Sequence, residues 1–124
     1  RQMCIRDRLY SFPKPVQQPH PPVILGGTSP NVFKRIAQWG DGWIPINVTP
    51  EDIGHGRRQL DQLARAAGRD PASIHITVFE PTTDRDLIAG YAAAGAERVV
   101  LRPTAESEEL VLAEIERIAA WACA

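Results

Sequence analysis

Cysteine is scarce in this 124-residue chain, with two in all, and aromatic residues make up only 6%. Two cysteines cannot build a disulfide framework, and no His/Cys group has zinc spacing, so no metal is expected and a reducing cytoplasm is the default compartment. No apolar run approaches the roughly 20 residues that cross a bilayer, so no membrane association is expected. Charge of one sign is also missing: 14 Lys+Arg stand against 15 Asp+Glu with no basic cluster. That balance argues against nucleic acid as a partner, where a basic face supplies most of the affinity. Proline and glycine, by contrast, are plentiful at 11 and 9. They fall between apolar runs, where turns belong, and so punctuate a folded domain of ordinary globular composition.

The first eight residues, Arg1 to Arg8, show no periodicity of either kind. They resemble the conceptual translation of a transposase sequencing adapter and lack the apolar stretch of a targeting peptide. Residues 1–8 are therefore expected to be an artefact, with the native sequence entering mid-gene and Cys4 carrying no function. Setting aside their three arginines and one aspartate shifts the charge balance toward acid. Residues 9–22 hold five prolines, each fixing φ and removing a donor, and read as an extended arm. Residues 23–124 form the expected domain.

Within that domain strand and helix patterns alternate four times. Val23-Ile24-Leu25 is a short apolar run stopped by Gly26-Gly27, as in a strand buried on both faces. Thr28 or Ser29 then caps a helix with Pro30 at its first position, whose buried stripe is Val32, Phe33, Ile36, Ala37 and Trp39. The second strand, Gly42 to Ile46, should be short or irregular at Pro45. Thr49-Pro50-Glu51-Asp52 starts its helix with a hydroxyl cap, a proline and two carboxylates at the positive end. Ile53, Leu60, Leu63, Ala64 and Ala67 follow at helical spacing to Gly68, while Gly54 and Gly56 weaken the first turns by about 1 kcal/mol each relative to alanine. The third strand is Ile74 to Phe79, with a helix capped by Pro81-Thr82-Thr83-Asp84 and running to Gly95 through Leu87, Ile88, Tyr91 and Ala92. Val99 to Leu101 is the fourth, followed by a long helix with Leu110, Val111, Ile115, Ile118 and Ala119 inward.

Such alternation means a parallel sheet covered by helices, because parallel neighbours need a crossover. A four-stranded doubly wound domain fits the length, whereas a closed eight-unit barrel needs about 250 residues. The arm at one end and the helix at the other favour half a barrel.

Phe12-Pro13-Lys14-Pro15-Val16-Gln17-Gln18-Pro19-His20-Pro21-Pro22-Val23-Ile24-Leu25-Gly26-Gly27, followed after a helix by Gly40-Asp41-Gly42-Trp43, resembles the C-terminal half of the luciferase-like monooxygenase superfamily. The branch it is most similar to is that of the coenzyme F420-dependent oxidoreductases. The resemblance implies an α/β fold, the C-terminal half (four βα units, strands 5 to 8) of a TIM (β/α)8 barrel. It also implies coenzyme F420 or FMN as cofactor and hydride transfer to or from a small organic substrate. The family's reactive centre lies in the first half of the barrel, so no catalytic residue is named, and a fragment alone should be inactive. A homodimer of the full-length protein stays open, as does a phosphate-binding α/β domain of another family. A half-barrel would leave Val23 to Leu25 and Val99 to Leu101 as unpaired apolar edges, so self-association is expected of the isolated chain.

Gly26, Gly27, Thr28 and Ser29 are the best candidates for binding the cofactor. They end a strand and open a helix, where glycines let a ligand approach and free amides face an anion. The same glycines would also serve a tight turn under a capped helix. Arg102, just past the fourth strand, has the guanidinium to hold an anionic cofactor group, and Glu80, just past the third, either pairs with it or meets substrate. Asn47, with Val48 and Thr49, stands where a substrate pocket would open. Asp41 is expected to tie a turn and Trp43 to fill core. His20, His55, His75 and Cys123 are expected to be structural or merely exposed.

Overall fold

A computed structural model describes residues 12–80 and 84–122, except that the side chain of Glu80 lies outside the description. The stretch 1–8, Cys4, Cys123 and the cap residues Pro81 to Thr83 lie outside it too. The elements run β1 (Ile24–Gly26), α1 (Pro30–Trp39), β2 (Gly42–Ile44), α2 (Pro50–Ala66), a 3-10 turn (Pro71–Ser73), β3 (His75–Glu80), α3 (Arg85–Ala93), β4 (Arg98–Leu101) and α4 (Glu108–Ala122). Residues 12–22 are exposed throughout.

The four strands form one parallel sheet in the order β1-β2-β3-β4. A doubly wound sheet reverses its strand order at a switch point; an unbroken order with right-handed crossovers puts every helix on the same face. The register confirms this. Leu25, Trp43 and Ile76 lie abreast, as do Val78 and Val99, and all five pack with Phe33 and Ile36 of α1, Ile53, Leu60 and Ala64 of α2, and Tyr91 of α3. The opposite face carries Ile24, Gly26, Ile44, Ile46, Phe79 and Val100, with Ile24 41% and Ile46 60% exposed. Thr77 is the buried polar residue of that face.

One-sided covering corrects two expectations. β1 is not buried on both faces: it begins one residue late, at Ile24, and only Leu25 is partly covered. α4 has no buried residue; Leu110 and Ile115 are exposed, and only Val111, Ile118, Glu114 and Trp121 are half-buried. Its hold comes instead from polar and aromatic contacts. Glu114 accepts from the amides of Thr104 and Ala105, both at 2.9 Å, and Arg85 lies 5.2 Å over the ring of Trp121. In α1, Phe33, Ile36 and Ala37 are buried as the stripe requires, whereas Trp39 stands half out at the end of the helix.

The amino ends of the strands are tied by side chains. Asp41 accepts from the Val23 amide at 2.7 Å, while its own amide and carbonyl bridge Val23 and His75, so one turn aligns β1, β2 and β3. Arg57 donates to the Ile74 carbonyl and Arg69 to those of Ile36 and Gly40, satisfying groups that the end of a helix or loop leaves open. His75 pairs with Glu97 at this same end, and His20 meets the Pro21 carbonyl.

Candidate functional site

The carboxyl ends of the strands gather the candidate residues into one rim. At β1 the chain leaves the sheet through Gly27 at φ +95°, a conformation that strains any residue with a Cβ. Ser29 then occupies the N-cap of α1 with extended backbone, but its hydroxyl makes no capping bond; its carbonyl accepts from Val32 and Phe33 instead. The expected side-chain cap is therefore absent here. Pro30 has no N–H, and the amides of Thr28 and Ser29 donate to no acceptor among the described residues.

Trp43 fixes this turn from below. Buried in β2, it tilts against Phe33 with ring centroids 4.9 Å apart and donates its indole N–H to the Gly27 carbonyl at 2.7 Å. The sequence places Trp43 in the core but gives no sign of that bond. Nor does it show why Gly56 is a glycine: an added Cβ would sit 2.3 Å from the Trp43 ring.

Three residues past the end of β2, Asn47 takes a φ of +53°, in the left-handed region that asparagine tolerates better than most residues. The next carbonyl, that of Val48, accepts from the Tyr91 hydroxyl at 2.7 Å, so α3 holds the loop. Thr49 and Asp52 then form a complete capping box, Asp52 accepting from the Thr49 amide at 2.9 Å and the Thr49 hydroxyl accepting from the Asp52 amide at 3.2 Å. The backbone and hydroxyl bonds from Thr49, with a smaller contribution from His55, hold the Asp52 carboxyl below the usual carboxylate range.

A depressed carboxyl stabilises the fold above its unfolded pKa, and that contribution is lost as pH falls through the folded value. Glu114 behaves alike through the Ala105 and Thr104 amides. Asp52→Asn should therefore lower the melting temperature at pH 7 and flatten its fall below about pH 4, where carboxylates titrate. Melting curves from pH 7 to pH 3 check this; parallel curves for the variant and the parent would refute it. Thr49→Ala removes the cap itself and should cost about 1 kcal/mol.

Thr28, Phe33, Trp43, Asn47, Asp52, His55 and Gln59 line a cleft of ≈ 610 Å³ between the N-termini of α1 and α2. Thr28 and Asn47 thus meet on one cleft wall, with Gly27 next to Thr28 in the chain. Arg102 does not join them: it is exposed and lies three strand spacings from Gly27, roughly 14 Å. Glu80 pairs with Leu101 through its backbone in β3. No group of three metal-ligating side chains occurs among the described residues, and none of the described helices is long and apolar enough to cross a membrane. His55, set on the outer helix by the sequence reading, is exposed on the cleft wall.

The family model described as luciferase-like monooxygenase matches residues 2–89. The chain belongs to that family. Membership in the luciferase-like monooxygenase family excludes the alternative of a phosphate-binding domain from another one. An uncharacterized protein of Mycobacterium tuberculosis is 38% identical over 117 residues, which cover 90% of this chain and 39% of that protein. A phthiodiolone/phenolphthiodiolone dimycocerosates ketoreductase of Mycobacterium bovis is 28% identical over 106 residues, 82% of this chain and 26% of that one. Among solved structures, a coenzyme F420 dependent tetrahydromethanopterin reductase from Methanopyrus kandleri is similar at 22% identity and a TM-score of 0.43, covering 52% of this chain and 20% of that chain. This member of the luciferase-like family thus spans 39% of the length of the first curated relatives it matches.

Proposed function

We propose that this chain is the C-terminal half, strands five to eight, of a (β/α)8 barrel, and that its full-length parent is an oxidoreductase using coenzyme F420 or FMN. Family membership and the open apolar face of the sheet support the first part, since a barrel interior is where such a face is filled by side chains. The orientation of one peptide group carries the second. The Gly27 carbonyl is directed at the Trp43 indole, on the helix-covered side. In a trans peptide the N–H points opposite to the carbonyl, so the Thr28 amide is aimed away from the helices, toward the open side of the rim.

This arrangement fits an anionic tail. Gly27 supplies a backbone that a Cβ would strain, Thr28 and Ser29 supply amides, and the N-terminus of α1 supplies partial positive charge. The cleft behind them suits an anion less, because ionised Asp52 stands in its wall. When bound, the cofactor would supply hydride transfer to or from an organic substrate. The residues of this chain bind and orient: the turn from Gly26 to Ser29 holds the phosphate of the tail, Arg102 holds a second anionic group, and Asn47 and Glu80 stand on the substrate side of the rim.

The test is titration of the full-length gene product with F420 and with FMN, followed by ring absorbance. Saturable binding of one of them is expected, competed by inorganic pyrophosphate. Gly27→Ala should weaken it about tenfold, equivalent to about 1.4 kcal/mol, with an unchanged circular dichroism spectrum. If neither cofactor binds, the oxidoreductase reading fails.

A further inference from the structure

The indole N–H of Trp43 is a fixed donor. Its ring is buried, tilts against Phe33 and lies against Gly56, where no Cβ stands in its way. Its backbone is held on both sides, in register with Leu25 of β1 and Ile76 of β3. A buried indole has one proton to give and accepts nothing in return, so it commits to a single partner, here the Gly27 carbonyl at 2.7 Å. Donor, acceptor and packing all come from the neighbouring units β1, α1, β2 and α2, and the contact is closed within them.

The acceptor, by contrast, is not fixed by its own stretch of chain. Gly27 lies at φ +95° and has no Cβ, so the plane of the peptide that joins it to Thr28 can rock about the bond from its Cα to its carbonyl carbon. That peptide is trans, and rocking that displaces the carbonyl also displaces the Thr28 N–H on its far side. Hydrogen bonds weaken steeply as the donor angle falls toward about 120°. Left to Gly27 alone, the Thr28 amide would be a poorly aimed donor. The indole bond has a second effect. A carbonyl that accepts a hydrogen bond polarises its peptide, and the N–H at the other end becomes a stronger donor.

We infer that Trp43 is a positioning residue for the anion held by the turn from Gly26 to Ser29. Indole, peptide and anion form one line of hydrogen bonds, in which the buried ring aims and strengthens the Thr28 N–H without touching the ligand. This inference rests on the anion reading of the turn and adds to it a side chain that composition and burial assign to the core alone.

The test uses the full-length gene product with isotope-labelled tryptophan and threonine, and inorganic pyrophosphate as the probe. In the parent, the Thr28 amide resonance and the Trp43 indole resonance, the latter assigned by its proximity to the Phe33 ring, should move along one saturation curve. Trp43→Phe keeps an aromatic ring in the core and removes the donor, so calorimetric titration should show the pyrophosphate dissociation constant raised about fivefold, the effect of one ordinary hydrogen bond. Ile53→Val trims the same core and removes no donor, so it should bind as the parent does. An indole resonance that stays still while Thr28 saturates would overturn the inference, and that measurement needs no variant to fold. So would parent affinity in Trp43→Phe, or an equal loss in Ile53→Val, which would make the effect one of general packing. In each of these cases the anion reading survives, because pyrophosphate still moves Thr28. If pyrophosphate moves neither resonance, that reading and this inference fall together.

Discussion

Trp43→Ala should lower the free energy of unfolding by about 3–5 kcal/mol, the range for truncating a large buried aromatic. The residue is 1% exposed and packs among Phe33, Ile36, Ile53 and Ile76 from three elements, so its loss opens a cavity that no single side chain can fill. The Gly27 carbonyl loses its indole donor at the same time. Against the total of 5–15 kcal/mol typical of a domain, this brings the chain close to unfolding at room temperature. Urea denaturation followed by far-ultraviolet circular dichroism measures it, and a loss under 1 kcal/mol would show that the ring is not packed as described.

Gly56→Ala should also destabilise, against the direction that helix propensity gives. In an exposed helix interior, alanine is favoured over glycine by about 1 kcal/mol. Here the new methyl would lie 2.3 Å from one Trp43 ring carbon and 2.5 Å from another, and both the ring and the helix backbone are held by the core. Overpacking of that kind costs about 1–3 kcal/mol, enough to reverse the propensity gain. The cause is separable. In a Trp43→Ala background the obstacle is gone, so Gly56→Ala should become neutral or stabilising, a coupling that a double-mutant cycle reads directly. Additive effects would mean that the glycine serves some other purpose.

Much of the fold is legible in the sequence because its signals are local. Thr49-Pro50-Glu51-Asp52 announces the start of α2, and the capping box forms there. Asp41 ties its turn and Trp43 fills the core, as residue type and position suggest. What stays hidden depends on partners distant along the chain. Gly56 reads as a weakness of its helix until Trp43 stands against it. An apolar strand such as Ile24 to Gly26 has the same composition whether one face or two are covered, so its exposure follows from strand order alone. α4 has an amphipathic pattern, yet its Leu110 and Ile115 are exposed among the described residues.

At the candidate site the sequence supplies the glycine pair and the rim positions of Asn47, Glu80 and Arg102. It does not separate the Ser29 hydroxyl, which caps nothing, from the Thr28 amide, whose direction is set through the Gly27 carbonyl by an indole 16 positions beyond that glycine. Nor does it show that Arg102 stands apart from the turn, because that distance is set by three intervening strand pairings.

Because each described strand pairs with its immediate successor, none of the pairings among β1 to β4 closes a loop longer than one helix and its connections. The entropic toll of each such closure grows only slowly with length, and contacts of this kind form early. A nascent polypeptide leaving the ribosome could therefore lay down β1, then β2, then β3, each new unit docking on a platform already built and none waiting for residues still to be translated.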